Sequence, residues 1–185
     1  MSGSDGGDGG DADLSFDRIV LTGTPGTGKT TVAERLGERL GIEVHHLNDL
    51  IREEGLHEGE DEQRGSLVAD LDAIREHLGD WSGLLDSHLA HHFEADAAIV
   101  LRCHPDELAD RLTERGEAEA KAAENAESEA LDIVLSESVR QYGEDRVYEI
   151  DTTDRPVETV VDDAVAVLRG EREPSAGTVD FTGAL

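Results

Sequence analysis

The sequence predicts an α/β fold in which helices cover both faces of a five-stranded parallel sheet. Its 185 residues suit a single domain with a sizeable core. Helical patterns alternate with short apolar segments, and this alternation is typical of parallel sheets. The strand candidates are residues 18–22, 43–47, 83–86, 97–102 and 147–151.

The first strand candidate leads directly into a glycine-rich loop. Gly23–Thr30 has the sequence GTPGTGKT, the Walker A pattern G-x-x-x-x-G-K-[ST]. Its glycines let backbone N–H groups turn toward phosphate oxygens, Lys29 can reach the β- and γ-phosphates, and the Thr30 hydroxyl can ligate Mg²⁺. Apolar residues follow at helical spacing: Val32, Leu36 and Leu40. Strand, loop and helix together predict a three-layer P-loop NTPase fold with a nucleoside-triphosphate site.

Three later stretches also have helical periodicity. They predict one helix from Pro105, a second over about 117–141, and a third from near Pro156 to a stop at Gly170. In a parallel sheet the binding site lies at the carboxyl ends of the strands, where the Walker loop already sits.

The composition is strongly acidic, with 44 Asp and Glu against 16 Lys and Arg and a net charge of −28. Such a surface repels nucleic acid, so we expect no direct sequence-specific binding of it. Its self-repulsion is relieved at high ionic strength. We therefore predict a protein of a salt-loving organism; an ordinary acidic protein is the alternative.

Both ends of the chain are rich in small and acidic residues. We expect a disordered acidic leader at 1–16, a domain at 17–170 and a flexible tail at 171–185. Cys103 is the only cysteine, so an internal disulfide is excluded and a buried thiol is expected. No apolar run approaches the ~20 residues of a membrane span, and no signal segment precedes the domain. A cytoplasmic location is the expectation.

The third strand candidate, Gly83–Asp86, ends in an acid. This is the form of a Walker B strand, whose Asp86 would hold the Mg²⁺ shell opposite Thr30; the alternative is a helix cap. His88 could touch the γ-phosphate or position a water, and the alternative is a surface or helix-start histidine. A zinc site including His91 and His92 is not favoured, because their side chains would diverge on a helix.

Arginines supply the other candidate phosphate ligands. Arg111 and Arg115 share one helix face and could hold transferring phosphates, although a Glu107–Arg111 ion pair fits the spacing equally well. The segment between the second and third strand candidates is long for a plain connection and could hold a second substrate. Arg52 is its natural phosphate ligand, and Arg64 is a weaker candidate.

Together these motifs resemble the adenylate kinase isoenzyme six family, also known as coilin-interacting nuclear ATPases, and its archaeal branch. The resemblance runs from about residue 18 to 169. It is carried by Gly23–Thr31, Asp49-Leu50 with Arg52-Glu53-Glu54, Asp86-x-His88, Cys103-His104-Pro105, and Arg111-Leu112-x-x-Arg115-Gly116 with Lys121 and Asn125.

The resemblance implies a nucleoside monophosphate kinase-like fold with a monophosphate-binding insertion at about 46–69 and a lid at about 114–124. It implies that the enzyme converts ATP and AMP into two molecules of ADP, with AMP as the preferred monophosphate but a loose base preference. It also implies Mg²⁺ as the cofactor and an additional ATPase activity. It also implies a role in late maturation of the small ribosomal subunit, through transient binding to a ribosomal protein of the subunit's platform. The alternatives are an ATPase assembly factor with little kinase role and a P-loop kinase for another small acceptor.

The resemblance also implies residue roles. ATP phosphates are held by Gly26, Gly28, Lys29, Thr30 and Thr31. Arg115 contacts ATP, and Arg52 contacts the AMP phosphate. Asp86 and His88 form a motif that holds Mg²⁺, through a water on Asp86, and positions the attacking water; Arg111 and Lys121 support the lid. The chain departs from the family at Glu117, where an aromatic is common, at Asn48, where glycine is common, and at His45 and His46, which replace a more apolar strand start. Glu117 would loosen base selectivity further.

Overall fold

The computed structural model describes residues 13–63 and 66–185. Within these ranges the strands are β1 (Arg18–Thr22), β2 (Val44–His46), β3 (His57–Asp61), β4 (Ser66–Ala69), β5 (Gly83–Asp86), β6 (Ala97–Arg102) and β7 (Val147–Asp151). The helices are α1 (Lys29–Leu40), α2 (Leu47–Glu54), α3 (Leu71–Leu78), α4 (Pro105–Glu114), α5 (Glu119–Ala130), α6 (Ile133–Tyr142) and α7 (Val157–Leu168). None of these helices has the length and apolar character needed to cross a bilayer.

The main sheet has five strands in the order β2-β5-β1-β6-β7. Every neighbouring pair is parallel, which confirms the predicted fold class. Alternate side chains of β1 enter different cores: Ile19 and Leu21 pack with α1 and α7, whereas Val20 packs with α3 and α6 on the other face. Burial on both faces explains why the strands have continuous apolar sequences.

Residues 47–69 hold α2 and the hairpin of β3 and β4, which pair antiparallel outside the main sheet. Gly55 ends α2, and the Leu56 N–H donates to the Ile51 carbonyl at 3.0 Å. Arg64, the weaker phosphate-ligand candidate, lies outside the described residues.

The single helix predicted over 117–141 is wrong, because α5 and α6 are separate. Asp132 lies between them with a φ of 55°, in the left-handed region. The buried Arg102 guanidinium binds the Asp132 carboxylate and donates to the Glu129 carbonyl at 3.2 Å. In a continuous helix that carbonyl would accept from the N–H four residues on, so the arginine favours the break.

The prediction of a flexible tail at 171–185 is also wrong. The Ser175 N–H donates to the Val147 carbonyl at 3.0 Å, and the Thr178 N–H donates to Glu149 Oε2 at 2.8 Å. The Arg102 guanidinium lies over the Phe181 ring, with Cζ 5.3 Å from the ring centroid. The buried Glu149 carboxylate needs donors, and the tail supplies them.

The end of the predicted leader is likewise packed. Leu14 and Phe16 contact the core, and the Ser15 N–H donates to the Leu168 carbonyl at 2.8 Å. Residues 1–12 lie outside the described part of the chain. Cys103 is buried as predicted, and burial raises the pKa of its thiol to about 12.

Candidate active site

A cleft of about 740 Å³ opens at the carboxyl ends of the strands. It brings together the predicted site residues Gly26, Gly28, Lys29, Thr30, Thr31, Arg52, Asp86, His88, Arg111 and Arg115. Lys121 is not among the residues that line it. Residues that lie up to 89 positions apart, from Gly26 to Arg115, therefore share one cavity.

The Walker loop is held by contacts of its own and by α4. Lys29 Nζ donates to the carbonyls of Gly23 at 2.8 Å and Thr24 at 3.0 Å. Burial lowers the pKa of Lys29 to about 8, although the Asp86 carboxylate opposes this effect. A Cβ at Gly26, whose φ is 94°, would come within 2.9 Å of Leu108 Cδ1. Helix α4 can therefore pack directly on the loop only because glycine stands there.

Asp86 is buried at the end of β5 and bound by His46 from the neighbouring strand. His46 Nδ1 lies 2.8 Å from Asp86 Oδ2, and the two residues are register partners of β2 and β5. Burial raises the pKa of Asp86, while the His46 hydrogen bond and the Lys29 charge oppose the rise. The sequence showed His46 only as an unusual strand start, because strand order was needed to place it beside Asp86.

His88 lies on the cleft wall, two residues beyond Asp86. Burial, followed by the charge of Lys29, lowers the pKa of His88 to about 4. The imidazole is therefore neutral near pH 7, and a neutral ring keeps one nitrogen lone pair that can accept a proton or a hydrogen bond.

Arg52 and Arg115 are exposed on the cleft, and within the described ranges neither is in an ion pair with a carboxylate. Arg111 also lines the cleft, but it pairs with Glu107 and donates to the Thr152 carbonyl at 3.0 Å. The ion pair considered as an alternative for Arg111 is thus formed.

Lys121 does not line the cleft, but its charge affects a residue that does. It pairs with Glu117 at 3.5 Å, and its charge adds to the lowering of the His88 pKa. The segment expected to form the lid covers the end of α4, a turn at 115–118 and the start of α5.

The cleft offers a donor set that fits Mg²⁺. The Thr30 hydroxyl and the Asp86 carboxylate come from different elements and line the same cavity. Two oxygen ligands suit Mg²⁺, because this ion prefers oxygen and usually keeps several of its waters when it binds to a protein.

A second residue that sequence reasoning missed is Glu129, at the end of α5. Its carboxylate is buried and accepts from Thr24 Oγ1 at 2.6 Å, Arg102 Nε at 2.8 Å and the Cys103 N–H at 3.0 Å. The carboxylates around Arg102 raise the pKa of its guanidinium, although burial alone would lower it. Glu129 therefore ties the C-terminal end of α5 to the Walker loop.

Comparisons with known proteins agree with this geometry. Residues 19–132 match a family described as an AAA domain. A protein of Natronomonas pharaonis described as "Putative adenylate kinase" is 57% identical over 166 residues, which cover 89% of this chain and 98% of that protein. The chain belongs to this archaeal adenylate kinase family. Family members of the same description in Halobacterium salinarum and Methanothermobacter thermautotrophicus are 57% and 45% identical, each over 89% of this chain and at least 97% of their own length.

Solved structures support the fold of this family. Shikimate kinase from Bacteroides thetaiotaomicron has a TM-score of 0.56 at 18% identity, covering 83% of this chain and 99% of its own. A gluconokinase from Sinorhizobium meliloti has a TM-score of 0.52 at 22% identity, covering 82% and 91%. The P-loop prediction is confirmed at the level of the fold.

Proposed function

We propose that this chain transfers the γ-phosphoryl group of ATP to a nucleoside monophosphate, AMP before others, and so forms two molecules of ADP. One observation carries the proposal: Arg52 faces the same cleft as Lys29 and Thr30 and is in no ion pair within the described ranges. In a chain with a net charge of −28, an arginine without a carboxylate partner is available for a phosphate. The name of the archaeal relatives supports the same substrates.

In this mechanism the chain positions two phosphate groups and neutralises their charge. The loop N–H groups, Lys29 and Arg115 hold the triphosphate, and Arg52 holds the acceptor phosphate in line with it. Thr30 and Asp86 would hold Mg²⁺, which when bound offsets charge on the β- and γ-oxygens. His46 keeps the Asp86 carboxylate in one orientation, and Arg111 braces the loop from α4.

His88 favours a second activity, the hydrolysis of ATP. A neutral imidazole on the cleft wall can accept a hydrogen bond from water and orient it, a role that transfer to AMP does not need. An ATPase assembly factor with little kinase role is therefore the second candidate.

The biological setting that we propose is late maturation of the small ribosomal subunit, through transient binding to a ribosomal protein of its platform. The motif resemblance supports it, and an acidic surface would suit a basic partner. Pull-downs from cell lysate with ATP and without nucleotide test this role. Absence of every small-subunit platform protein from both would contradict it.

The catalytic proposal is tested by measuring ADP formation at high salt with Mg·ATP and a panel of acceptors: AMP, CMP, GMP, shikimate and gluconate. We expect AMP to give the largest increase over ATP alone. If AMP never raises ADP output above the ATP-only background, the kinase assignment fails. A response to shikimate or gluconate alone would instead assign another small acceptor.

Arg52→Gln separates the two activities. Loss of a charge-assisted phosphate contact is worth about 1.5–3 kcal/mol, so kcat/KM for AMP should fall roughly 10–100-fold. ATP hydrolysis without AMP should stay within about twofold, because Arg52 holds only the acceptor. Arg140→Gln, on the exposed face of α6, is the matched control and should change neither rate. Equal losses of both rates in Arg52→Gln would contradict an acceptor role.

A further inference from the structure

A second group of potential metal ligands lies outside the cleft. His91 and His92 belong to the 3₁₀ helix Ala90–His92 that follows β5, and Glu137 lies on α6. The expectation that the two histidines diverge is wrong. Their ring centroids are 4.3 Å apart, and His91 Nε2 and His92 Nε2 lie 2.6 and 3.9 Å from the same atom, Glu137 Oε2.

We propose that His91, His92 and Glu137 form a binding site for a zinc-class divalent ion, with water as the fourth ligand. Their three ligand atoms all lie within 4.8 Å of one another. Ligands at about 2.0–2.2 Å from a tetrahedral ion are roughly 3.3–3.5 Å apart. Small side-chain rotations that lengthen the 2.6 Å contact between His91 and Glu137 and shorten the 3.9 Å contact between His92 and Glu137 would bring the ligand atoms to this spacing.

The setting of His91 supports this assignment independently. Its side chain is 1% exposed, and its other nitrogen, Nδ1, lies 2.8 Å from Thr22 Oγ1. A metal-ligating histidine characteristically uses its second nitrogen in a hydrogen bond that fixes the ring. When Nε2 gives its lone pair to the ion, the ring proton resides on Nδ1 and is donated to the Thr22 hydroxyl.

The site has an open side and a distinct ion preference. The side chains of His92 and Glu137 are 35% and 39% exposed, so an ion and its water can enter. Two imidazoles and one carboxylate suit Zn²⁺ or Co²⁺, whereas Mg²⁺ prefers oxygen alone. The site therefore differs in chemistry from the Thr30 and Asp86 pair of the cleft.

An ion bound by His91, His92 and Glu137 would link three parts of the fold. The ion would join α6 to the segment after β5, and the hydrogen bond of His91 would extend the link to Thr22, the last residue before the Walker loop. A ligand that binds only the folded state raises its melting temperature. At saturating zinc we expect a rise of roughly 5–10 °C.

The test uses the chelator-treated full chain in high salt with excess Mg²⁺, which occupies weak acidic sites. Calorimetric titration with ZnCl₂ should show one saturable site, and CoCl₂ should give the visible absorption of tetrahedral cobalt. His92→Ala and the isosteric Glu137→Gln should each weaken zinc binding roughly 10–100-fold and remove the cobalt spectrum. Both residues are partly exposed, so circular dichroism should show both variants folded.

Two control variants locate the ion. His77→Ala, at an exposed position on α3, should bind zinc like the unaltered chain. Asp86→Asn should also retain the site, because Asp86 belongs to the cleft. The proposal is overturned if the unaltered chain shows no saturable zinc binding, if both His92→Ala and Glu137→Gln bind as tightly as the unaltered chain, or if Asp86→Asn abolishes binding.

Discussion

At the scale of single residues, charge-bearing side chains in the interior link the Walker loop to distant elements. Arg102 is 1% exposed and binds Glu129, Asp132 and Glu149, while Glu129 also accepts from the Thr24 hydroxyl. A buried ion pair is costly to break, because removing one partner leaves the other charge without compensation. The loop geometry thus depends on a carboxylate 105 residues away in sequence.

Glu129→Gln tests this dependence while preserving side-chain size. We expect the free energy of unfolding to fall by about 2–4 kcal/mol, because Arg102 loses the charge of its partner on α5. Urea denaturation in high salt measures the change. Glu127→Gln, at an exposed position of the same helix, is the matched control and should stay within about 0.5 kcal/mol. Equal stability of the two variants would mean that the Glu129 charge does not support the fold.

At the scale of elements, the junction between β5 and the preceding loop is unusually tight. Gly83 has a φ of 96°, and a Cβ there would lie 2.3 Å from the Glu43 carbonyl oxygen. The Leu84 N–H donates to that same carbonyl at 2.9 Å, so the backbone cannot move away without losing a sheet hydrogen bond. This junction sets the start of the strand that ends at Asp86.

Gly83→Ala should therefore lower the free energy of unfolding by about 2–4 kcal/mol, through both backbone strain and the clash. Gly41→Ala separates the two causes. Gly41 also has a positive φ, 65°, but a Cβ there meets no atom within 4 Å, so only strain of about 1–2 kcal/mol is expected. Chemical denaturation of both variants gives the comparison, and a cost at Gly83 no larger than that at Gly41 would exclude the clash.

The strands and helices also show which boundaries the spacing of apolar residues predicts and which it does not. Spacing placed every strand of the main sheet to within about a residue or two, because a buried strand leaves a continuous apolar segment. The break between α5 and α6 left no such signal. It depends on Arg102, which is 30 residues from Asp132 in sequence and reaches it only in the folded chain.

At the scale of the whole molecule, the dominant property is a surplus of 28 negative charges. Exposed acidic side chains repel one another, and the repulsion is screened within ~3 Å at 1 M salt. The compact state should therefore be favoured by high ionic strength.

We expect the melting temperature to rise steadily as KCl is increased from about 0.1 M to molar concentrations, because the Debye length shortens from ~10 Å to ~3 Å. Thermal denaturation in KCl measures the rise, and sucrose at matched osmolality controls for solvent exclusion. A melting temperature independent of KCl would contradict the salt-adapted interpretation of the composition.

The sequence by itself determined the Walker loop, the strands beside it and the fold class, because each of these depends on local spacing and turn chemistry. Arg52, Asp86, His88 and Arg115 could be nominated from motifs, and the fold brings them into one cleft. Only the tertiary structure paired His46 with Asp86, Glu129 with Thr24, and His91 and His92 with Glu137. These contacts depend on strand order and helix packing, which join residues at least 40 positions apart and which no local pattern encodes.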